Sequence, residues 1–358
     1  MKNTEHHTDI LRPRKINVLG LDVHAKQIVL VAGSDGRAKP AQSRSESEVL
    51  ALVQRAIGSG EKVYSCYEAG CFGYVLHRKL TALGAVNYVI MPQDWDQRHE
   101  RRKNDKRDAR ELWQRLSRYL NGDEEAFCVV RVPTVQEEMR RARVRQRNTL
   151  ARERTQMSVR GRSVLLCHGI SSVRDWWRPG AWERLKKSIP AAICALVEPW
   201  REFILELRKR QLILEKDITS GVDLAQIPVG VGAWSWECLS AELCDWQRFR
   251  NRRQIASYTG FCPSEHSTGG RRRQGSINKH GNPEVRHTLI EMLWRMVRFQ
   301  RGWRGLKKAP ALLDDQAGAR QRRRAAVSAA RLLAIDLWRL ATGQTTPQKL
   351  GLRMPMTT

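Results

Sequence analysis

The chain has 358 residues, of which 64 are Lys or Arg and 37 are Asp or Glu, giving a formal net charge of +27. Such an imbalance calls for a polyanionic partner, and nucleic acid fits best because each phosphate neutralised by Lys or Arg releases condensed counterions. A membrane surface is disfavoured: there is no run of about 18 apolar residues to span a bilayer, and the start, MKNTEHHTDILRPRK, is too polar for a secretory leader. A soluble cytoplasmic protein is expected, associated with the nucleoid when it acts.

Eight cysteines, at 66, 71, 128, 167, 194, 238, 244 and 262, form no Cys-x-x-Cys pair, so zinc ribbons are excluded and reduced, mostly buried thiols are expected. With 41% hydrophobic residues the chain can build real cores, and its length suggests two or three domains of about 100 to 200 residues each. Several of the 12 tryptophans adjoin basic residues, as in Trp176-Trp177-Arg178. Such rings can stack on bases, although packing in a core is the favoured reading.

In chain order, residues 16–33, INVLGLDVHAKQIVLVAG, predict two strands around a polar break, followed by the turn pair Asp35-Gly36. A helix is predicted over 45–58, a strand over 62–67 ending in Glu68-Ala69-Gly70, a helix over 73–83, and a strand over 85–91 closed by Pro92. Alternating strands and helices place this region in the α/β class. An Arg-rich stretch from Asp94 leads to a helix over 106–120, and Val132-Pro133 marks a boundary. Between Arg140 and Arg162 nine arginines face one acid, Glu153, in a predicted long helix. Residues 192–218 supply an antiparallel partner, with Ile204, Leu205, Leu207, Leu212 and Leu214 as its apolar positions. The arginines read as a nucleic-acid contact in preference to a solvated face.

A third region opens at Ile227-Pro228-Val229-Gly230-Val231-Gly232, a turn like that of a helix-hairpin-helix, whose backbone N–H groups can face a phosphate. Helices over 285–297 and 321–340 follow, and the last fifteen residues read as a frayed tail. Expected domains are 1–131, 132–221 as a helical arm, 222–345, and a tail over 346–358.

Two sets of residues could carry chemistry. Asp22 and Glu68 close two strands, and Asp105 and Asp108, three apart, share a helical face. Carboxylates from two strand ends and a helix suit magnesium, a hard cation that takes oxygen ligands. Two such ions about 3.5 to 4 Å apart can clamp both oxygens of a phosphoryl displacement. Taken singly, each acid has an ordinary alternative, Asp22 as a turn cap and Asp105 and Asp108 as partners of Lys103, Lys106 and Arg107. The second set is the segment PSEHSTGGRRRQGSINKHGN from Pro263: a hydroxyl pair, two glycines and three arginines can attack a phosphate and neutralise its charge. A basic loop that only grips DNA is the competing reading.

Taken in order, GLDVHAK with Asp22, YEAG with Glu68, KNDKRDA with Asp105 and Asp108, IPVGVG, and YTGFCPSEHSTGGRRRQGSINKHGNPEVR resemble the DEDD transposases of the insertion-sequence-110 family, in its 1111-type branch. The resemblance covers roughly residues 16 to 300. It implies a ribonuclease-H-like (RuvC-like) N-terminal domain of α/β class, a long coiled-coil-like helical arm and a mostly α-helical C-terminal domain. It further implies that Asp22, Glu68, Asp105 and Asp108 are ligands of Mg²⁺, that a serine becomes joined to DNA, and that a noncoding guide (bridge) RNA pairs element ends with target DNA. Family members usually carry Ser-Gly where this chain has Ser267-Thr268-Gly269. Ser267 is taken as nucleophile because a primary hydroxyl is less hindered, with Thr268 as the alternative. Arg271, Arg272, Arg273 and Lys279, with Arg141, Arg143, Arg145 and Arg147 of the arm, are the expected nucleic-acid contacts. Handling two duplexes predicts a homo-oligomer, a dimer or tetramer. A junction-resolving nuclease that uses water, and a noncatalytic nucleic-acid-binding protein, are the two competing functions.

Overall fold

The computed structural model describes residues 16–34, 36–92, 104–171, 174–265 and 274–355. They fall into two compact units that divide between Val132 and Pro133. The first is a sheet with helices, and the second is helical apart from one short hairpin.

The first unit runs β1 (Ile16–Val23), β2 (Ile28–Ser34), β3 (Arg37–Ala38), β4 (Gln42–Arg44), α1 (Glu46–Gly58), β5 (Lys62–Glu68), α2 (Val75–Ala82), β6 (Val86–Ile90) and α3 (Asp105–Leu120). The strand order is β3-β2-β1-β5-β6, with β4 also paired to β2. β1 runs antiparallel to β2 and parallel to β5, and β5 is parallel to β6. Side chains alternate between the two faces of each strand. Leu19, Leu21, Ile28 and Leu30 therefore pack with Val49, Val53, Leu76 and Leu80 of α1 and α2. Val18, Val29, Val31 and Cys66 meet Ala109, Leu112, Trp113 and Leu116 of α3 on the other face.

Two glycines let α3 lie close on that face. A Cβ on Gly20 would run into the backbone of Ala109 and Trp113, coming within 2.9 Å of the Trp113 Cα, and one on Gly33 would meet the Trp113 ring. Asn104 caps α3 by accepting from the Lys106 N–H, so Asp105 and Asp108 stand in its first turn. Negative charge there is favoured by the helix dipole.

The second unit runs α4 (Val135–Cys167), α5 (Pro179–Ser188), α6 (Ala191–Thr219), α7 (Ala233–Leu243), α8 (Arg252–Tyr258), β7 (Pro263–Glu265), β8 (Gln274–Ile277), α9 (Pro283–Phe299), α10 (Arg304–Lys307), α11 (Ala319–Ala341) and α12 (Pro347–Leu350). Thr134 and Glu137 form a capping box that starts α4. The long helices α4 and α6 lie antiparallel: Leu165 near the end of α4 packs with Cys194 and Val197 near the start of α6, while Arg143 and Arg147 pair with Asp217 and Glu215 near its end. Of the apolar positions expected to face inward on α6, Ile204 is fully buried but Leu212 is exposed. Gln211 is buried next to it, a shift of the buried stripe by one residue.

Trp176 and Trp177, 1% and 5% exposed, belong to the core that α4, α5 and α6 share, so the packing reading holds for both. A larger core joins α7, α8, α9 and α11 through Leu239, Ile255, Leu289, Met292, Leu293, Leu333 and Leu337. The chain end departs from the frayed tail expected of it. Leu350 and Leu352 are buried in that core, and Gln300 is hydrogen-bonded to both the Arg353 N–H and its carbonyl. Apolar spacing did not mark so short an anchor. Among the described residues no helix is long and apolar enough to cross a membrane.

Candidate active site

Asp22 lies near the end of β1 and Glu68 at the end of β5. The parallel register ends with Gly20 paired to Cys66; Asp22 and Glu68 each stand two residues further along their strands, so strand alternation turns both to the face of Gly20 and Cys66. That is the α3 face, since the Cys66 thiol donates to the Leu112 carbonyl at 3.4 Å. Asp105 and Asp108 continue toward it the buried stripe of Ala109, Leu112, Trp113 and Leu116. Strand register and helix phase thus direct all four acids to one edge of the sheet.

The side chains come together unequally. His24, in the turn after β1, places its Nε2 3.0 Å from Asp22 Oδ2 and 3.4 Å from Asp105 Oδ2. The ligand atoms of Asp22, His24 and Asp105 all lie within 4.8 Å of one another, close enough to share one cation. Glu68 and Asp108 do not join that set, although Glu68 is near enough to add to the burial that pushes the Cys66 thiol up. The side chains of Asp22 and Asp105 are 22% and 47% exposed, so the cluster opens to solvent. The sequence offered His24 only as part of GLDVHAK; it reaches Asp22 because the turn after β1 folds back, with its N–H donating to Gln27 O.

The second expected set is only partly within view. Ser267, Thr268, Arg271, Arg272 and Arg273 lie outside the described residues, between β7 and β8. Lys279 is exposed and takes a left-handed backbone, φ 60°. Next to it Gly281 is packed so tightly on the backbone of Tyr258, Thr259 and Gly260 that a Cβ could not be accommodated. In the Pro228–Gly232 turn, the Val229 N–H donates to Arg353 O and the Val231 N–H to Pro228 O. Those two donors are therefore committed inside the protein rather than open to a phosphate.

The arginines of α4 are engaged in a way the sequence did not reveal. Arg140 holds Glu237 (Nη2–Oε2 2.6 Å) and Arg145 holds Glu242 (Nε–Oε1 2.7 Å), both acids on α7 and the second only 1% exposed. Arg147 donates to Glu215 at 3.1 Å and lies 4.1 Å from the centre of the Trp234 ring. Arg143 pairs with Asp217, and Arg152 with Glu284. Their carboxylate partners raise the pKa of Arg140 and Arg145 further. Of the arginines expected on this helix to reach nucleic acid, Arg143, Arg145 and Arg147 are thus ion-paired within the protein, while Arg141 makes no ion pair among the described residues.

Comparison with known proteins finds transposases among the relatives of this chain. The model of the family described as Transposase IS116/IS110/IS902 matches residues 223–308, from before α7 to α10. The putative transposase y4rJ of Sinorhizobium fredii is 29% identical over 265 residues, covering 65% of this chain and 65% of that protein, just under two thirds of it. The probable family 20 transposase of Pseudomonas aeruginosa is 28% identical over 234 residues, 62% of this chain and 67% of that protein. The transposase for insertion sequence element IS1111A of Coxiella burnetii is 23% identical, over 96% of this chain and 95% of that protein. With the family domain in the second unit and similarity to the IS1111A transposase along nearly its whole length, the chain is similar to transposases of the IS110 family.

Proposed function

We propose that this chain is the transposase of an insertion sequence, cutting and rejoining DNA through a covalent serine–DNA intermediate and using a divalent cation, Mg²⁺, held by its N-terminal carboxylates. The observation that carries this reading is the convergence of Asp22 and Asp105 from a strand end and a helix start, with Glu68 and Asp108 directed to the same edge. The donor set fits a hard cation: Asp22 and Asp105 offer carboxylate oxygens, and the His24 imidazole, bonded to Asp22, orients that carboxylate. A bound cation supplies Lewis-acid stabilisation of charge on a phosphoryl oxygen. The strand order β3-β2-β1-β5-β6, with β1 antiparallel to β2 and parallel to β5, supports a ribonuclease-H-like first unit. In the same reading α4 and α6 form the core of a helical arm over 132–221, and 222–345 is the serine-bearing domain.

The chemistry assigned to the second unit is a transesterification. The Ser267 oxygen bonds to phosphorus as a DNA oxygen leaves with a proton, and a second DNA hydroxyl later reverses the exchange. Thr268 is the alternative nucleophile. Arg271, Arg272, Arg273 and Lys279 neutralise the phosphate, and a noncoding bridge RNA from the element pairs the two DNA partners within a dimer or tetramer. The test incubates the full chain with Mg²⁺, the RNA transcribed beside its gene, and DNA carrying the flanking element ends. A denaturant-resistant protein–DNA adduct is expected, and Asp22→Asn or Ser267→Ala should abolish it. An adduct lost only in Thr268→Ala moves the nucleophile by one residue. Metal-dependent cutting without any adduct would overturn the serine step in favour of water.

A further inference from the structure

The arginines of α4 change company along the helix. From Arg140 to Arg152 all but Arg141 meet carboxylates of α6, α7 and α9, as described above. Beyond that, Arg154 and Arg162, with Arg174 just before α5, make no ion pair among the described residues. These three line one pocket of about 330 Å³ together with Ser158, Asp175 and Trp177. Its single acid is already engaged, Asp175 lying 3.0 Å from Arg178. The buried Nε–H of Arg154 has no hydrogen-bond partner, a donor left over where burial makes such a donor costly. Burial first, and then the charge of Arg208, lower the Arg154 pKa, while Asp175 opposes them in part.

The pocket is also held in shape before anything binds. The Trp176 ring fits against Gly161, where any side chain would collide with it, and its Nε1–H donates to Ser158 O at 3.0 Å. Ser158 Oγ in turn donates to Arg174 O at 3.2 Å, tying the arginine's backbone to α4. Arg154 lies 5.6 Å from the centre of the Trp177 ring, which limits where its guanidinium can go. Guanidinium groups fixed in this way suit tetrahedral oxyanions better than a mobile basic patch does.

We infer that this pocket, at the α5 end of the helical pair, is a phosphate-binding site that takes a phosphodiester group of a nucleic-acid strand. The volume lies at the low end of the roughly 300 to 1,000 Å³ of small-ligand pockets, enough for a phosphate with its sugar and too small for a folded partner. Choosing a nucleic-acid strand as the source of the phosphate rests on the reading that this chain acts on DNA. Single-stranded RNA, single-stranded DNA and duplex DNA offer the same group, so the experiment uses all three.

The full chain, in chelator so that metal chemistry plays no part, is titrated with short labelled oligonucleotides of each kind over a range of salt concentrations. The variant Arg162→Gln/Arg174→Gln should flatten the dependence of log K on log salt by about 0.7 per lost contact for a single strand, or about 0.9 for a duplex. The strand type that shows this loss is the occupant. Arg184→Gln/Lys187→Gln, which removes the same charge from exposed positions of α5, should produce less than half that change. Equal effects of the two double variants, or none from the pocket variant with any oligonucleotide, would overturn the assignment. A measurement on the unsubstituted chain guards against misfolding of the variant: saturating oligonucleotide should slow phenylglyoxal modification of Arg162 and Arg174, read by peptide mass. Unchanged rates at both would sink the proposal. Absence of the adduct with this binding intact would count against the proposed cutting chemistry and leave the phosphate site standing.

Discussion

At the carboxyl ends of β1 and β5, acids are brought toward other acids with one imidazole between them, whereas the carboxylates that reach α4 in the second unit are each met by a guanidinium: Glu215 by Arg147, Glu237 by Arg140, Glu242 by Arg145, Glu284 by Arg152. The energetic consequences have opposite signs. Like charges held close disfavour their own ionised state unless a cation joins them, while a buried carboxylate already bound to arginine is costly only when that arginine is removed. The same residue types therefore gather where a cation could join them in one unit and act as fasteners in the other.

The largest expected effect tests the fasteners. Arg145→Ala leaves Glu242, 1% exposed, with only Asn282 Nδ2 on its carboxylate among the described residues, and should lower the stability of the second unit by about 3 kcal/mol. Adding Glu242→Leu to the same chain should recover most of that loss, because the uncompensated charge goes with it. Urea unfolding monitored by hydrogen exchange in α7 reads both, and an Arg145→Ala chain as stable as the parent would break the contrast between the units.

A slightly smaller effect tests the acid cluster. Mg²⁺ at about 100 times its dissociation constant should stabilise the first unit by about 2.7 kcal/mol, read as hydrogen-exchange protection of α3, and leave α9 unchanged. Asp105→Asn should remove this gain while altering the metal-free protein little. Equal protection of α3 and α9, or a gain that survives Asp105→Asn, would mean that the ion acts elsewhere.

The smallest effect sharpens the contrast through pH. His77 accepts from Asn87 Nδ2 at 2.9 Å, and its pKa is lowered first by burial and then by the Arg78 charge. The folded chain therefore binds fewer protons at this site than the unfolded chain. Stability from His77 is present above the ordinary value of 6.5 and is lost as pH falls from there toward the lower folded value. His77→Gln should flatten the acid-side fall in melting temperature of the first unit, and a fall equally steep in that variant would show that other groups set it.

Much of the first unit was legible because it follows short-range rules. Short apolar runs bounded by turn residues marked β1, β2, β5 and β6, and the three-residue spacing of Asp105 and Asp108 put both on one face of α3, the face that turns to the sheet. The part of the site that was missed, His24, depends on how the Val23–Ile28 turn folds back, with the His24 N–H on Gln27 O, and side-chain spacing does not encode that. The ion pairs of the α4 arginines were missed for a different reason: the partners of Arg140 and Arg145 on α7 lie 97 residues away in sequence, where local charge counting does not look. The β7–β8 hairpin was not foreseen either, since its strands are three and four residues long and carry no clear alternation.

Gly20 has no chemistry of its own, yet it sets how near α3 and its leading aspartates come to β1. In a genetic screen for chains that fail to transpose, substitutions there should be recovered beside those of the acids and would be scored as an active-site position. The two classes separate by stability. A methyl at Gly20 strikes backbone atoms of α3 that no side-chain change can trim, so Gly20→Ala should loosen α3 and lower the stability of the first unit along with activity, whereas Asp22→Asn should lose activity with α3 still protected from hydrogen exchange.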